Sequence, residues 1–344
     1  MKIIVDAMGG DNAPQAIVEG ALSAARELDV EVVLVGRTEA VLKAMEAAGV
    51  RDLPANVEIQ NATEVVEIAD DPAMAFKRKK DSSLTVGLTM LRDGRGDAFV
   101  SAGSTGALLS GATLVTKRIR GIRRAAMAPQ VPCVGGSFVL CDCGANAECT
   151  PEYLLQFAYL GSFYAQRVMG IERPRVALLN IGAEEEKGDT LRHEAYQVLK
   201  AAGDAGRIHF TGNIEANDAM LGGADVVVTD GFTGNILLKT AEGCGKFLIK
   251  GLKQVFLSGV KTKVAALLVK EGLAGFKKTM DPSEVGGTPF LGISKPVIKA
   301  HGSSDARAIY NAVRQARDFA ASGFIDAIQE NIENMKVTPS AENP

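Results

Sequence analysis

Residues 98–112 read AFVSAGSTGALLSGA. A short apolar, sheet-favouring run stops at Ser101, passes through hydroxyls set between glycines, and reopens at once with helical spacing. A strand that ends on a small polar turn and restarts as a helix is the first half of a parallel β–α–β unit. The same punctuation recurs along the chain. Val5 is followed by DAMGGD, Leu140 by CDCGAN, Leu179 by NIGAEEEKG, Phe210 by TGNIE and Val228 by TDGFTGN. Apolar runs at 3–5, 32–35, 138–140 and 226–228, and others starting at Val176 and Ile208, alternate with helical patterns. The first of those helices begins near Pro14 and carries Ile17, Val18, Ala21, Leu22, Ala25 and Leu28 on one face. This alternation predicts an α/β fold with a largely parallel sheet. Ligands bind at the carboxyl edge of such a sheet, and glycine lets backbone approach them closely. Six turns of one kind therefore predict a shared polar site along one edge.

The 344 residues are 47% hydrophobic, enough for one large core. No low-complexity linker interrupts them, so residues 1–335 read as a single unit and 336–344 as a frayed tail. Stripes at Ile309, Ala312, Val313, Ala316 and Phe319, then Phe324, Ile325, Ile328 and Ile332, close the fold as core rather than as a subunit interface. A net charge of −3 gives no global attraction to nucleic acid. No apolar run reaches the roughly 18 residues of a membrane span. The start, MKIIVDAMGGD, lacks the longer apolar core of a secretory signal, which makes a cytoplasmic protein the expectation. Five cysteines do not form an even framework. Cys133, Cys141, Cys143 and Cys149 cluster, but C-x-C in an apolar run is unlike a zinc knuckle, and no metal is expected. Cys141 and Cys143 read as small hydrophobes on one face of a strand.

Several familiar sites fail on spacing. No G-x-G-x-x-G follows the first strand, GCGKF continues with Phe247 where a P-loop needs Ser or Thr, and HEAYQ lacks a second histidine. No G-x-S-x-G elbow is present. The turns offer hydroxyls (Ser104, Thr105, Thr233), amides (Asn146, Asn213, Asn235), Lys187, and the acids Asp6, Asp142, Glu184 and Asp230. Glycine-flanked hydroxyls at a helix start, with Gly106 and Gly234 in the corresponding turns, suit a phosphate or an oxyanion.

In order along the chain, DAMGGD, SAGSTGA, GAN, NIGAEEEKG, GNIE, DGFTGN and KPVIKAHGSSDARA resemble the bacterial phosphate acyltransferases of phospholipid synthesis, also called acyl-ACP:phosphate transacylases. The resemblance covers roughly residues 1–332. LCDCGAN and RRAAMAP depart from the family pattern. The resemblance implies transfer of a long fatty acyl group from an acyl carrier protein thioester to inorganic phosphate, without a cofactor. It also implies a three-layer fold like that of isocitrate and isopropylmalate dehydrogenases, with one large mixed sheet in two intertwined lobes, and a homodimer. The product would pass to an integral membrane glycerol-3-phosphate acyltransferase.

The residues suit that chemistry. Phosphate is already ionised at neutral pH, and a thiolate leaving group needs little acid help. What remains is to hold phosphate in line with the carbonyl and to stabilise the oxyanion. Lys187, Asn213, Asn235 and His301 are the candidate catalytic groups, with Glu184 a candidate to position Lys187. Asp6, Ser104, Thr105, Gly106 and Asn146 are candidate phosphate or substrate contacts, as are Asp230, Thr233, Gly234, Ser303 and Ser304. In KAHGSSDARA, residues 299–308, the serines precede a helix starting near Asp305 and read as N-cap and first-turn donors, not as members of a compressed triad.

Acyl carrier proteins are acidic, so the resemblance implies a basic docking patch, for which KRKK (77–80) and KRIRGIRR (117–124) are the candidates, a solvated face being the other reading of either run. Residues 250–280 hold seven lysines against one acid, Glu271. Val260, Val264, Leu267 and Leu268 share one helical face, and Ser258-Gly259 marks a break. A protruding amphipathic hairpin touching an anionic membrane surface through Val264, Leu267 and Leu268 is one reading, and a hairpin buried in the core is the other. Rival functions are a metal-dependent hydroxyacid dehydrogenase using Asp6, Asp142 and Asp230, a short-chain phosphate acetyltransferase, and a scaffold that brings the carrier protein to membranes.

Overall fold

The alternation of apolar strands and helices builds two sheets. The computed structural model describes residues 1–279 and 282–337. In chain order the strands are β1 (Lys2–Asp6), β2 (Glu31–Gly36), β3 (Val57–Asn61), β4 (Ala98–Ser101), β5 (Ala126–Met127) and β6 (Gln130–Cys133). They continue as β7 (Gly136–Cys141), β8 (Arg175–Leu179), β9 (His209–Ile214), β10 (Val226–Val228), β11 (Gly287–Leu291) and β12 (Val297–Ala300). One sheet has the order β3-β2-β1-β4-β12-β11-β5 and the other β6-β7-β10-β8-β9. Within the first, β1, β2, β3, β4 and β12 run parallel, β11 alone runs against them, and β5, antiparallel to β11, takes their direction again at the far side. Within the second, β7, β10, β8 and β9 run parallel, and β6 is antiparallel to β7.

The single large sheet implied by the resemblance is thus divided, and the division falls between β5 and β6. Pro129 lies there and has no N–H to continue a ladder. Ala128 N–H still donates to the Pro289 carbonyl of the first sheet, and the Pro129 carbonyl accepts from Leu140 of the second. One short strip of backbone therefore belongs to both. The first sheet is drawn from the two ends of the chain and the second from its middle.

The chain's end packs onto its beginning. Helix Ala306–Ala321 lies on helix Gln15–Glu27, with Ile309, Ala312, Val313 and Ala316 buried against Ile17, Ala21 and Leu22 in one core. Helix Phe324–Glu330 then reaches helix Pro151–Arg167 in the second lobe. There Tyr164 meets Phe319 and Phe324 edge-on, at centroid distances of 5.5 and 6.4 Å, and accepts a bond from Gln315. The C-terminal stripes are core.

Three local expectations are corrected. TGNIE does not form a turn, because β9 runs on through Thr211 and Gly212 to Ile214 with a register shift opposite Val176–Leu178. Gly212 takes φ +99°, the conformation that admits such an irregularity. Cys143 lies beyond the end of β7, so it packs into a different core layer from Cys141 and not on the same face. Asp305 itself caps helix Ala306–Ala321, accepting from Ala308 N–H at 2.9 Å, so Ser303 and Ser304 stand ahead of the cap. A carboxylate is at least as good a cap acceptor as a hydroxyl.

Helix Gly231–Leu257 buries only three glycines, at 231, 234 and 245. Ser258-Gly259 separates it from helix Val260–Leu268, none of whose residues is buried, and helix Lys270–Thr279 follows. The reading of this segment as core is therefore wrong. Met280 and residues 338–344 of the tail lie outside the described residues. No helix among the described residues is long and apolar enough to cross a membrane.

Gly20 sets the closeness of the packing between the two ends of the chain. A Cβ there would fall 2.7 Å from Ile309 Cβ and closer still to the Ala306 carbonyl oxygen. Gly20→Ala is expected to cost about 1–3 kcal/mol by overpacking, read as a lower denaturation midpoint in urea. An unchanged midpoint would show that the two helices separate freely.

Candidate active site

The carboxyl ends of β1, β4 and β12 lie side by side and form one half of the polar edge. Asp6 is buried and accepts from Ser101 Oγ at 2.7 Å and Met8 N–H at 3.1 Å. Burial pushes its carboxyl above the usual range, against the pull of those bonds. Ser101 Oγ in turn accepts from Gly103 N–H at 3.0 Å. The Asp6 carboxylate therefore braces the two glycine turns and does not project from them. Ser104 caps the next helix, Thr105–Gly111, by accepting from Ala107 N–H at 3.5 Å. The N–H groups of Thr105 and Gly106 have no partner among the described residues.

From β12, Lys299 enters the same edge, 8% exposed, with Nζ on the Ala102 and Ala300 carbonyls. Burial lowers its pKa to about 8, although Asp6 and Asp11 oppose the shift. His301 Nδ1 lies 2.9 Å from Ser303 Oγ, so the histidine–serine pair forms. It is not a triad, because the Asp305 carboxylate is engaged at the helix cap. Ser304 is buried, and its hydroxyl has no partner among the described residues.

The second lobe supplies the other half. After β7, the Asp142 carboxylate is wholly buried and accepts N–H bonds from Met127 (2.8 Å), Cys143 (2.7 Å), Ala145 (3.4 Å) and Asn146 (2.6 Å), with the Asn146 side chain at 3.0 Å. Burial raises its pKa to about 6 against those donors. Gly231 and Gly234 press on this turn. A Cβ on Gly231 would meet Asp142 Oδ2 at 2.6 Å, and one on Gly234 would strike the Asp142 carbonyl oxygen. Asp230 caps helix Gly231–Leu257 through Thr233 N–H at 2.8 Å and pairs with Arg192. Burial works against its ionisation, but the Thr233 and Arg192 donors outweigh that and hold its pKa down. Asp6, Asp142 and Asp230, the acids of the dehydrogenase reading, are thus each met by protein donors.

Lys187 sits in the loop after β8 and is exposed. Asn180 Nδ2 donates to the Lys187 carbonyl at 2.9 Å, and Asn213 Nδ2 donates to the Glu184 carbonyl at 2.7 Å. Asn213, expected as catalytic, is placed as a brace of this loop. Glu184 and Lys187 flank Gly182, and no ion pair joins them. The Lys187 ammonium and the Asn235 amide have no partner among the described residues. Asn235 lies against Gly144, whose added Cβ would come within 3.8 Å of its Oδ1.

The two halves face each other. His301 is held below its ordinary 6.5 by burial, then by Lys239, Lys299 and Lys246, of which Lys239 and Lys246 belong to helix Gly231–Leu257. A groove of about 280 Å³ has Leu109, Ser110 and Thr113 on one wall and Ala145 and Asn146 on the other. A second, of about 560 Å³, lies over Cys149, Asp189, Arg192, Phe232 and Thr233. Burial pushes the Cys143 and Cys149 thiols up to about 12, so neither offers a thiolate. Sequence reading missed Lys299, Arg192 and Asn180. Lys299 stood inside a quoted motif, but two strands that it had not recognised, β11 and β12, were needed to place it. Arg192 opens a helix in LRHEAYQ with no local signal beyond its charge.

Residues 1–327 match the model of a family described as fatty acid synthesis protein. Proteins named phosphate acyltransferase from Thermoanaerobacter pseudethanolicus and Bacillus licheniformis are 45% and 44% identical over 97% of this chain and 98% of their own length. Among solved structures, a phosphotransacetylase from Streptococcus pyogenes superposes with a TM-score of 0.64 at 18% identity, covering 93% of this chain and 94% of its own. A 4-hydroxythreonine-4-phosphate dehydrogenase from Klebsiella pneumoniae gives 0.53 at 14%, covering 93% and 99%. These two establish the fold.

The facing of the lobes has a spectroscopic consequence. Lys239→Ala or Lys246→Ala removes a positive neighbour that disfavours imidazolium, so the His301 midpoint should rise toward 6.5, read by NMR titration. If neither substitution moves it, helix Gly231–Leu257 does not overlook His301 in solution.

Proposed function

The chain belongs to this fatty acid synthesis family, whose relatives are phosphate acyltransferases, and from that premise we propose the donor, the product and the course of the transfer. The donor is a long-chain acyl thioester of acyl carrier protein, the acceptor is inorganic phosphate, and the product is acyl phosphate for phospholipid synthesis. One observation supports the mechanism: the polar edge offers uncommitted donors, while its histidine–serine pair and its thiols are not set up as nucleophiles among the described residues. Lys187 and Asn235 have no side-chain partner among the described residues, the histidine–serine pair lacks its acid, and the neighbouring thiols are held protonated.

Attack therefore falls to phosphate itself. A phosphate oxygen bonds to the thioester carbonyl carbon, the carbonyl becomes an oxyanion, and its collapse breaks the C–S bond. The electron pair leaves on sulfur, and the carrier thiolate takes its proton from solvent. Lys187 and the Asn235 amide supply donors for the oxyanion, and the turn N–H groups at Thr105 and Gly106 suit phosphate. His301, neutral at pH 7, orients Ser303 beside them.

The exposed arm after residue 245 supports the partner readings. Phe247, Leu248 and Val255 are open on the long helix, a face that a second copy would cover in a homodimer. Val264, Leu267 and Leu268 are 52, 72 and 83% exposed beside the exposed Lys261, Lys263 and Lys270. Apolar side chains among lysines fit reversible contact with an anionic bilayer, from which acyl phosphate passes to the integral membrane glycerol-3-phosphate acyltransferase.

Acyl phosphate should form from palmitoyl carrier protein plus phosphate and vanish when either is omitted, whereas acetyl-CoA should be a poor donor. Preference for acetyl-CoA would make the short-chain reading correct. Lys187→Ala and Asn235→Ala should each lower kcat about a hundredfold with the fold intact, and near-wild-type rates for both would place the oxyanion elsewhere.

The joint replacement Leu267→Glu and Leu268→Glu should abolish binding to phosphatidylglycerol vesicles and spare activity in solution. Retained vesicle binding would show that the arm is not the contact.

A further inference from the structure

The groove of about 280 Å³ between the lobes has no role in the chemistry above. Ala73, Leu109 and Leu114 line it with apolar side chains, Ala145 and Asn146 line it from the second lobe, and Arg118 and Arg124 bring two cations to it. Asn146 holds Asp142 and, through its carbonyl, Gly231 N–H at 2.7 Å, so the groove ends at the turn beneath Asn235. Neither arginine has a carboxylate partner among the described residues. Arg124 lies over the Tyr153 ring at 5.7 Å.

The wall is built unusually. Helix Thr105–Gly111 widens into a π-helical turn, Ala112–Thr116, which leaves Leu114 59% exposed over the groove. The next residue, Lys117, takes φ 73° and ψ 161°, a region used almost only by glycine. It is pinned there by its own N–H on the Ala112 carbonyl at 2.8 Å and by Ser294, whose N–H donates to the Lys117 carbonyl at 2.9 Å. This costly corner directly precedes Arg118 of the groove lining. The other basic run contributes no groove residue, and its Lys79 is engaged by Asp70 and the Val65 carbonyl.

We propose that this groove seats the phosphopantetheine arm of the donor carrier protein, with Arg118 and Arg124 on its phosphodiester. The inference rests on the acyl carrier thioester reading above. The arm is a thin chain that starts at an anion and ends at the thioester. A groove lined by two cations and by Asn146, whose turn lies next to Asn235, offers a partner to each end of that chain. The exposed Lys117 and Arg120 carry the positive surface outward from the groove, where the acidic surface of a carrier protein would rest; the diphosphate and 3′-phosphate of coenzyme A are the other anions such a surface could meet, and the donors compared below separate the two.

The test compares donors on the full chain. Arg118→Gln with Arg124→Gln should raise KM for palmitoyl carrier protein about tenfold or more. It should leave KM for phosphate, and turnover of a palmitoyl pantetheine thioester lacking the phosphate, at wild-type values. An unchanged carrier KM overturns the proposal, as does an equal rise for Lys77→Gln with Lys80→Gln. If the double variant loses activity with every donor, Leu114→Trp decides: blocking the groove should lower kcat/KM for both thioesters and spare phosphate KM, and no effect overturns the proposal. Charge reversal at Lys117 and Arg120 should raise KM for the carrier but not for palmitoyl-CoA, and equal effects overturn the assignment to a protein-borne arm. Failure of the wild type to make acyl phosphate from any of these donors overturns the underlying reading, and with it this one.

Discussion

The buried carboxylate of Asp142 is the joint on which the site depends. It gathers N–H groups from Met127, at the edge of the first sheet, and from Cys143, Ala145 and Asn146, just beyond the second. A carboxylate out of water is tolerable only when its lone pairs are met, and here backbone donors meet them. Their geometry is fixed by the carboxylate in return. The tightness of this turn is why positions 231 and 234 must be glycine, and their close approach brings the start of helix Gly231–Leu257 to the cleft. Thr233, Asn235 and Lys239 are all placed by that helix.

Charge is divided between structure and chemistry along this edge. Asp6, Asp142 and Asp230 are acids at a site proposed to hold an anion, which would repel phosphate if they were free. Each instead faces donors: Ser101 and Met8, the Asp142 turn, and Thr233 with Arg192. Their negative charge is absorbed into the turns. A site arranged in this way needs no generated nucleophile, because it only has to align an ion that is already reactive with an electrophile.

Much of the architecture was legible because strand and helix periods differ and because glycine-rich turns mark the ends of parallel strands. The first strands, the helix after Pro14 and the C-terminal stripes all declared themselves through apolar spacing. What failed was short or irregular: β5 has two residues, β11 carries Pro289, and β9 passes through Gly212 where a turn was expected. Division into two sheets was also invisible, since it depends on hydrogen bonds across Pro129 and not on any composition change. At the site, Lys187 and Asn235 were legible as polar residues at strand ends. Asp6 and Asp230 were legible as present, but their internal partners, and hence their bracing role, emerge only when strands distant in sequence are brought together.

The frame itself does not choose the substrate. It is shared, at 18% and 14% identity, with a phosphotransacetylase and a 4-hydroxythreonine-4-phosphate dehydrogenase, proteins with different chemistry. Selection among donors must then reside in side chains carried on the frame. Two elements of this chain carry groups that its core does not require: the π-helical turn with its corner at Lys117, and the arm beyond residue 245. The first spends unfavourable backbone between an exposed Leu114 and a half-buried Arg118, and the second leaves a row of apolar side chains uncovered. On the function proposed above, each is kept for what binds there. An acyl group that enters on a carrier and leaves bound to phosphate would need both surfaces, one for the arm that delivers it and one for the bilayer that receives it.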